Sequence, residues 1–587
     1  MLDTHIVNIR NEVDNWLLSF NEAISDKISK TDSIENLNKL FFENSHWRDI
    51  LALTWQIQTT SGKQNIIPKL YDKVLNVIAK DFVIDPQRTQ PREVIRAGKN
   101  VVEVILKFKT KFGYCEGVVR LYEDSEASGT FKAWNFLTAL SDLNSSFNKK
   151  EDQYENTLEG PNWLDVRKED RLYKDRDPEV LVVGSGQAGL SIAARLKQQN
   201  IDTLVVDKNE RVGDNWRNRY HSLKLHNQTH VNHLPYMPFP PTWPTYIPKD
   251  KLAGWFEYYA ESMELNVWTK TTFISAEYDK AEKNWNVKLK LSDGNERIMK
   301  PKHIVMAVGV SSVPNRTKIP GMEGYKGKVI HSTDYSNGRD YKGKNVLVFG
   351  TGTSAHDVAQ DLYVHGAKVK IVQRSPSMVV NVEPSAQLPY QLYREGPNTD
   401  DCDLITISSP LTVLKKTHQL LTEKTKEIDR PLLDKLEEVG FRLEYGEENT
   451  GWQFKYLTRG GGYYFNVGAS DLIAERKIKV IQFSDIINFN PSGIEMKSGD
   501  NFDIDLMVTA TGYKGQEYVV EEFFGKALVE KVGPIWGFDN DRQELRNMWM
   551  QTNQPGLWFH AGSLAQCRIF SKFLALQIRA IQDGIVI

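Results

Sequence analysis

"VLVVGSGQAGLSIAARL", Val180 to Leu196, decides the fold. Four apolar residues rich in Val read as a buried strand, the glycines as a tight turn, and the Ala- and Leu-rich stretch as a helix laid back on that strand. Gly184, Gly186 and Gly189 stand at the GxGxxG spacing. Gly184 can take backbone angles that a side chain forbids, Gly186 lets a pyrophosphate approach the backbone, and Gly189 lets helix and sheet pack closely. Ser185, Gly186, Gln187 and Ala188 would then offer amides at the positive end of the helix. A lone glycine motif is weak evidence, but this one has context. "DTLVVDKN" reads as the next strand, and it ends in Asp207, with Lys208 beside it, at about the 20-residue spacing expected for a ribose-binding acid. A carboxylate there accepts from a ribose 2′-hydroxyl and repels a 2′-phosphate. The site is expected to take FAD or NAD, and not NADP.

A second segment of the same kind, "VLVFGTGTSAHDVAQDL", runs from Val346 to Leu362. Gly350, Gly352 and Ala355 form the G-x-G-x-x-A variant, with Thr351, Thr353 and Ser354 between and beside them. Its second strand, "KVKIVQRSP", ends without an acid; Arg374 stands there instead, the residue type that accommodates a 2′-phosphate. The charge logic of the first site is inverted. Two such sites in one chain call for two different dinucleotides.

At 587 residues the chain is long enough for roughly three to five structural units with well-buried cores. Its 74 basic and 76 acidic residues nearly cancel, so no global field calls for nucleic acid or an anionic membrane. Cys115, Cys402 and Cys567 are far apart, with no CxxC pair. That spacing argues against a disulfide framework, a thiol redox couple and a structural zinc site. No apolar run is long enough to span a bilayer, and the polar start "MLDTHIVNIRNEVDNW" does not read as a signal peptide. A soluble, cytoplasmic protein with no metal is the expectation.

Before the first glycine motif, residues 5–25 and 33–54 read as amphipathic helices and "NIIPKLYDKVLNVIAKD" as a third. "NVVEVILKFKTKF" then alternates Val102, Val104, Leu106 and Phe108 onto one strand face, with "GVVRLYED" and "TFKAWNFLTAL" as its neighbours. Helices followed by strands indicate an α+β unit. Its order, with "WRDILALTW" and "KAWNFLTAL", resembles the NTF2-like (SnoaL-like) fold, which implies a structural or interface module and admits a homodimer. His46 and Asp49 read as pocket residues or, the commoner case, as polar residues on a helix surface. The charged stretch 151–178 reads as a linker.

After Asp207, Gly213-Asp214-Asn215-Trp216-Arg217 and "LKLH…LPYMPFPPTWPTYIPKDKLAGWFEYYA" resemble the class B flavoprotein monooxygenases, in particular the YUCCA-type branch of the flavin-containing monooxygenase family. "YKGKVIHSTDY", Tyr325 to Tyr335, matches that family's signature with Tyr in the leading position and keeps Gly327 and His331. "IVMAVGV" with Ala307, "LMVTATGY" with Thr511 and Gly512, and "LWFHAGSLAQC" with Gly562 resemble its return and closing strands. The resemblance spans roughly 160 to 587 and is weakest over 387–450, which read as helices of unknown role. It implies FAD at the first site, with Asn215, Trp216 and His226 near it, and NADPH at the second.

The implied layout is α/β: an NTF2-like domain over 1–150, a linker over 151–178, the FAD-binding domain over 179–340 and 496–587, and the NADPH-binding domain over 341–495. The implied activity is oxygenation of a small organic substrate by molecular oxygen through a C4a-hydroperoxyflavin, either at N or S or as a YUCCA-like oxidation of a keto acid. His226 and Asn227 are the expected catalytic pair, because the family keeps a polar side chain in this loop. His331 is expected to order the second nucleotide domain. Without CxxC, a disulfide reductase drops out. An NADPH oxidase or flavin reductase, and a non-catalytic NADP(H)-binding protein, stay open.

Overall fold

The computed structural model describes residues 2–125, 129–144, 160 and 162–586, with side chains from residue 9 on. Two five-stranded parallel sheets form its centre. The first has the strand order 266–268, 203–206, 180–183, 303–306, 557–559, and the second 328–331, 506–509, 345–349, 368–373, 479–482. Val180–Val183 and Val346–Phe349 are buried between neighbours on both sides, as their continuous apolar runs require in a parallel sheet. Each sheet carries a three-stranded antiparallel sheet inserted before a return strand, over 272–299 and 486–503 respectively. The helix Gln187–Gln198 follows the first glycine turn and packs on the closing helix Leu564–Gln582.

Two expected boundaries shift. Lys328–His331 and Leu506–Thr509 pair in parallel within the second sheet, on either side of the 340/341 and 495/496 divisions read from the sequence. The strand Leu506–Thr509 lies between Lys328–His331 and Asn345–Phe349. Both divisions therefore cut through one sheet.

The stretch expected as a linker, 151–178, is only partly so. Residues 151–159 and 161 lie outside the described residues, but Trp163–Leu172 is a helix capped by Asn162, whose side chain accepts from the Leu164 amide. Arg167 on that helix is buried and donates to Asn266 Oδ1 at 2.9 Å, which docks the helix on the edge strand of the first sheet.

Ahead of these folds stands a seven-stranded sheet with three helices, Leu2–Ala23, Lys30–Leu40 and Lys63–Val77. The reading of 33–54 as one helix is corrected here. Its helix ends at Leu40, and Phe41–Ile50 is a strand, parallel to Phe131–Leu143 and antiparallel to Ile57–Ser61. Trp47 and Ile50 are buried by that pairing, and tertiary pairing outweighs the weak local preference of such a stretch. Phe20, Phe41, Phe82, Phe108 and Phe136 fill the space between helices and sheet, with Phe82 stacked on Phe108 at 4.2 Å. His46 and Asp49 consequently sit on a strand, with Asp49 buried. Its carboxylate accepts from Thr138 Oγ1 at 2.6 Å and from the amides of Leu53 and Thr54; burial nonetheless holds its pKa up to about 6.

Strand Lys99–Lys109 is buried on both faces over Val101–Leu106, although only one face alternates as expected. The other face is covered from within the chain. Between the paired strands Met378–Asn381 and Tyr463–Asn466, the chain inserts mainly helices: Ser385–Arg394 (3-10), Thr399–Ile407, Leu411–Glu438 and Gly451–Arg459. The N-terminal sheet docks there. Arg120 bonds Glu103 Oε2 at 2.9 Å and reaches the Ile405 carbonyl, Asn135 donates to the Ser408 carbonyl at 2.6 Å, and Arg88 bonds Asp401.

Candidate active site

One large cavity, of about 1220 Å³, is lined from both nucleotide folds, from the helical insertion and, through Arg48, from the N-terminal sheet. Gly184, Gly186, Gln187, Ala188, Asp207, Lys208, Asn215 and Trp216 line it from the first nucleotide fold, with Ala307 and Gly562 from its return and closing strands. Thr353 and Ser354 line it from the second. The helical insertion adds Tyr390, Tyr393, Trp452 and Tyr456.

The first glycine turn packs so closely on its own neighbours that it leaves no room for side chains. Gly184 has φ +106°, and a Cβ there would stand 2.6 Å from the Ala307 carbonyl oxygen. A Cβ on Gly186 would stand 3.0 Å from Asn215 Nδ2, and one on Gly189 would collide with the Gly184 carbonyl. Asp207 accepts from the Ser185 amide at 2.8 Å and hydroxyl at 2.7 Å with one oxygen, and from the Asn209 amide with the other. The acid thus also locks the glycine turn, a role beyond the expected ribose contact. Trp216 Nε1 donates to Gln187 Oε1 at 3.3 Å, and Gln187 Nε2 donates to the Gly562 carbonyl at 3.3 Å. The buried Asn215 Oδ1 has no protein partner.

At the second turn Gly350 has φ +116°. Thr351 is buried against Ser377 and does not line the cavity, whereas Thr353 and Ser354 do. Arg374 is exposed just beyond the strand Lys368–Gln373, whose Val372 carbonyl accepts from the Gly350 amide at 3.0 Å. Its side chain does not line the cavity either; it stands at the carboxyl end of the second strand, beside the glycine turn. Thr511 donates to the Asn315 carbonyl at 2.6 Å, and the Gly512 carbonyl accepts from the Asn315 amide at 2.9 Å. These two residues tie the interfold crossing together, with Tyr513 reaching the cavity in their place.

The expected catalytic pair separates. Asn227 lines the cavity and donates to the Tyr390 hydroxyl at 3.1 Å. His226, its neighbour on the strand Lys224–Gln228, does not line it; the ring packs 5.9 Å from that of Phe465. Successive residues of a strand point to opposite sides, so one of the two had to turn away. Tyr390 was not among the sequence candidates: it lies in the 387–450 region, where no family motif singles it out. His331 is buried, its pKa lowered by burial and by Arg316, and its Nδ1 lies 2.9 Å from Thr333 Oγ1.

All three cysteines are free and buried, and burial pushes each thiol pKa up, Cys402 to about 12, so none is a ready thiolate. Among the described residues no His/Cys/Asp/Glu group could hold a metal ion, and no helix is long and apolar enough to cross a membrane.

Residues 181–394 match the pyridine nucleotide-disulphide oxidoreductase family. The chain is 31% identical over 363 residues to the probable indole-3-pyruvate monooxygenase YUCCA7 of Arabidopsis thaliana, covering 60% of this chain and 78% of that protein. The chain belongs to the class B flavoprotein monooxygenases. Indole-3-pyruvate monooxygenase YUCCA1 of rice (Oryza sativa subsp. japonica) is 30% identical, over 57% of this chain and 77% of its own. Among solved structures, OTEMO in complex with FAD and NADP superposes with a TM-score of 0.51 at 16% identity, covering 70% of this chain and 86% of that one. Oxidized steroid monooxygenase bound to NADP gives 0.50 at 18%, covering 70% and 85%. This class B flavoprotein monooxygenase uses FAD and NADPH and oxygenates a small molecule with molecular oxygen. The first glycine turn, whose backbone packs too closely for side chains and beside which Asn215 Oδ1 is left without a partner, and Gly352 of the second, where a Cβ would meet nothing within 4 Å, fit such nucleotides.

Proposed function

We propose that the cavity is a single reaction chamber in which Gly184–Gly189 and Asp207 hold FAD, and Gly350–Ser354 with Arg374 hold NADPH. The observation that carries this is that the first glycine turn and Thr353 and Ser354, which directly follow the second, line one cavity, so the two nucleotides can meet. FAD supplies hydride acceptance from NADPH and the activation of oxygen.

The chain's own residues do the rest. Gly186 and the helix amides behind it receive the pyrophosphate, and Asp207 takes a ribose hydroxyl with its remaining lone pairs. Arg374 receives the 2′-phosphate from solvent at the end of its strand. Gln187, Trp216 and Gly562, already joined by hydrogen bonds, form the wall against the flavin. Asn227, held by Tyr390, presents the polar side chain to the reacting edge. The largely aromatic wall of the insertion excludes water from that edge.

The N-terminal unit is read as NTF2-like, on its three helices packed against one seven-stranded sheet, and it serves as a fixed part of the enzyme. A cytoplasmic setting and a homodimer complete the reading; sedimentation of the purified holoenzyme tests the latter. Two substrate classes suit the family: a soft N or S centre, or a keto acid of the kind in the relatives' names. The test is oxygen uptake against amines, sulfides, ketones and indolic keto acids. A coupled enzyme consumes oxygen and NADPH together and releases little peroxide with one of these classes. NADPH consumed entirely to peroxide with every class would overturn both proposed substrate classes.

A further inference from the structure

Part of the cavity lining comes from neither glycine turn. Thr406, Ile407 and Ser409 line it at the end of the helix Thr399–Ile407, and Glu544 and Leu545 line it from a hairpin that pairs Phe538–Asp539 with Glu544–Leu545. Arg48, on the strand Phe41–Ile50, bonds to both. Its Nε and Nη2 donate to Glu544 Oε1 and Oε2 at 2.8 and 2.6 Å, and its Nη1 donates to the Ile407 carbonyl at 2.6 Å. One guanidinium therefore clasps the helix end to the hairpin. The donor fork is planar and rigid, so its three bonds set an angle as well as a distance between the segments it joins. With 10% and 8% of their side chains exposed, Arg48 and Glu544 are held largely out of water.

The rest of the N-terminal sheet holds the same two segments. A helix end leaves backbone carbonyls without partners inside the helix, and a cation is favoured beside them. Arg120 donates to the Ile405 carbonyl at 3.3 Å and to Ser409 Oγ at 3.1 Å, and Asn135 donates to the Ser408 carbonyl at 2.6 Å. On the hairpin side, the Thr59 amide donates to the Arg542 carbonyl at 3.0 Å and the Thr59 hydroxyl to Glu544 Oε1 at 3.2 Å.

We propose that the N-terminal unit closes this part of the reaction chamber against water, with Arg48 as the positioning residue that sets the helix end against the hairpin. The inference rests on the reading of the cavity as the reaction chamber. Water admitted to the reacting edge favours the unproductive reaction, in which NADPH, a proton and oxygen give NADP+ and hydrogen peroxide. The N-terminal unit thereby governs coupling, although it supplies neither glycine turn.

The test compares the parent holoenzyme with two variants. Arg48→Met with Glu544→Leu removes the clasp and leaves no buried charge behind; Arg48→Lys keeps the charge without the three-bond fork. Each protein is reduced by one equivalent of NADPH without oxygen and then mixed with oxygenated buffer, with no substrate present. In the double variant peroxide release should quicken about fivefold or more, while the preceding flavin reduction keeps the parent rate. Hydrogen–deuterium exchange should quicken over 405–411 and 538–545 and stay at the parent level over 184–189. Arg48→Lys should fall between the two in peroxide release and in exchange, and it carries the test if the double variant does not fold. Peroxide release at the parent rate in the folded variants would overturn the proposal, whether or not exchange moves. So would faster exchange throughout the chain with slowed flavin reduction, which would make the pair a general stability element. A parent holoenzyme that NADPH does not reduce would instead overturn the chamber reading, and the inference with it.

Discussion

The Asn227 amide donates to the Tyr390 hydroxyl at 3.1 Å, which joins the loop of the first nucleotide fold to the helical insertion. One position away, Gln387 Nε2 donates to the His226 carbonyl at 2.9 Å. The insertion therefore fixes both the backbone and the side chain of the strand that carries the proposed polar group. Tyr390 is buried enough that its pKa is pushed up to about 12, so it stays a neutral donor and acceptor throughout the working range.

From this contact, Asn227→Ala should leave flavin reduction by NADPH unchanged and raise the peroxide released per NADPH. Removing one preorganised donor of this kind costs about 2.7–4 kcal/mol where it acts on a transition state. Tyr390→Phe should move coupling in the same direction but less, because Asn227 stays and only its orientation is freed. His226→Leu should change coupling little, since its ring lies on Phe465. Stopped-flow absorbance of the flavin with a peroxide assay separates the two steps. Unaltered coupling in Asn227→Ala would remove Asn227 from the reacting edge.

The glycine turn gives a sharper prediction. In Gly186→Val the new side chain begins 3.0 Å from Asn215 Nδ2 and occupies the approach to the turn. The protein should fold but purify without the yellow flavin spectrum. No covalent flavin attachment is expected, so the parent should release its FAD on denaturation. A fully yellow Gly186→Val protein would place the flavin elsewhere.

Much of this was legible because parallel strands buried on both faces write themselves as apolar runs, and because a glycine forced to φ +106° is a local requirement. Val180–Val183, Gly184 and Asp207 are cases of that kind. The strand Phe41–Ile50 was not legible: its neighbours in the sheet come from Ile57–Ser61 and from Phe131–Leu143, and the latter partner is remote in sequence. Asn227 and His226 were found together because a loop motif marks a position but not a side-chain direction, which the strand's alternation later decides. Arg48 and Glu544 had no local signal at all. Their pairing spans 496 positions and exists only once the N-terminal sheet has docked. That docking also bears on a truncation. Deleting residues 1–150 would strip Arg48 from Glu544 and Arg88 from Asp401, and uncover the face of the helical insertion on which the N-terminal sheet docks.

At the second turn, Arg374→Ala should erase most of the preference for NADPH while leaving NADH use nearly intact. A charge-assisted contact of about 1.5–3 kcal/mol corresponds to roughly a ten- to hundred-fold preference. Because the side chain is exposed and apart from the cavity wall, its removal should not disturb flavin content. The kcat/KM for each nucleotide, measured at fixed ionic strength, decides it. Equal losses with both nucleotides would make Arg374 a structural residue.

Buried histidines set the last prediction, an early loss of stability in acid. Burial lowers the pKa of His356 and His418 to about 4 and that of His560 to about 3, and burial with nearby Lys302 lowers that of His303 to about 4, each from the ordinary 6.5. The folded protein keeps these rings neutral, while the unfolded chain protonates them as pH falls below the ordinary value. The unfolded state then binds more protons, so stability is fully present above about pH 6.5 and is lost as pH falls toward about 4. Each histidine contributes a slope of about 1.4 kcal/mol per pH unit within that window. The urea midpoint should therefore begin to fall well above the carboxylate range. His303→Gln is the diagnostic variant. Trp558 Nε1 donates to His303 Nδ1 at 3.2 Å, and a glutamine oxygen can accept the same bond without titrating. The variant should match the parent near pH 8 within about 1 kcal/mol and lose stability less steeply by about one proton's worth below about pH 6.5. An identical slope in parent and variant would show that His303 takes up its proton equally in both states, contrary to its burial beneath Trp558.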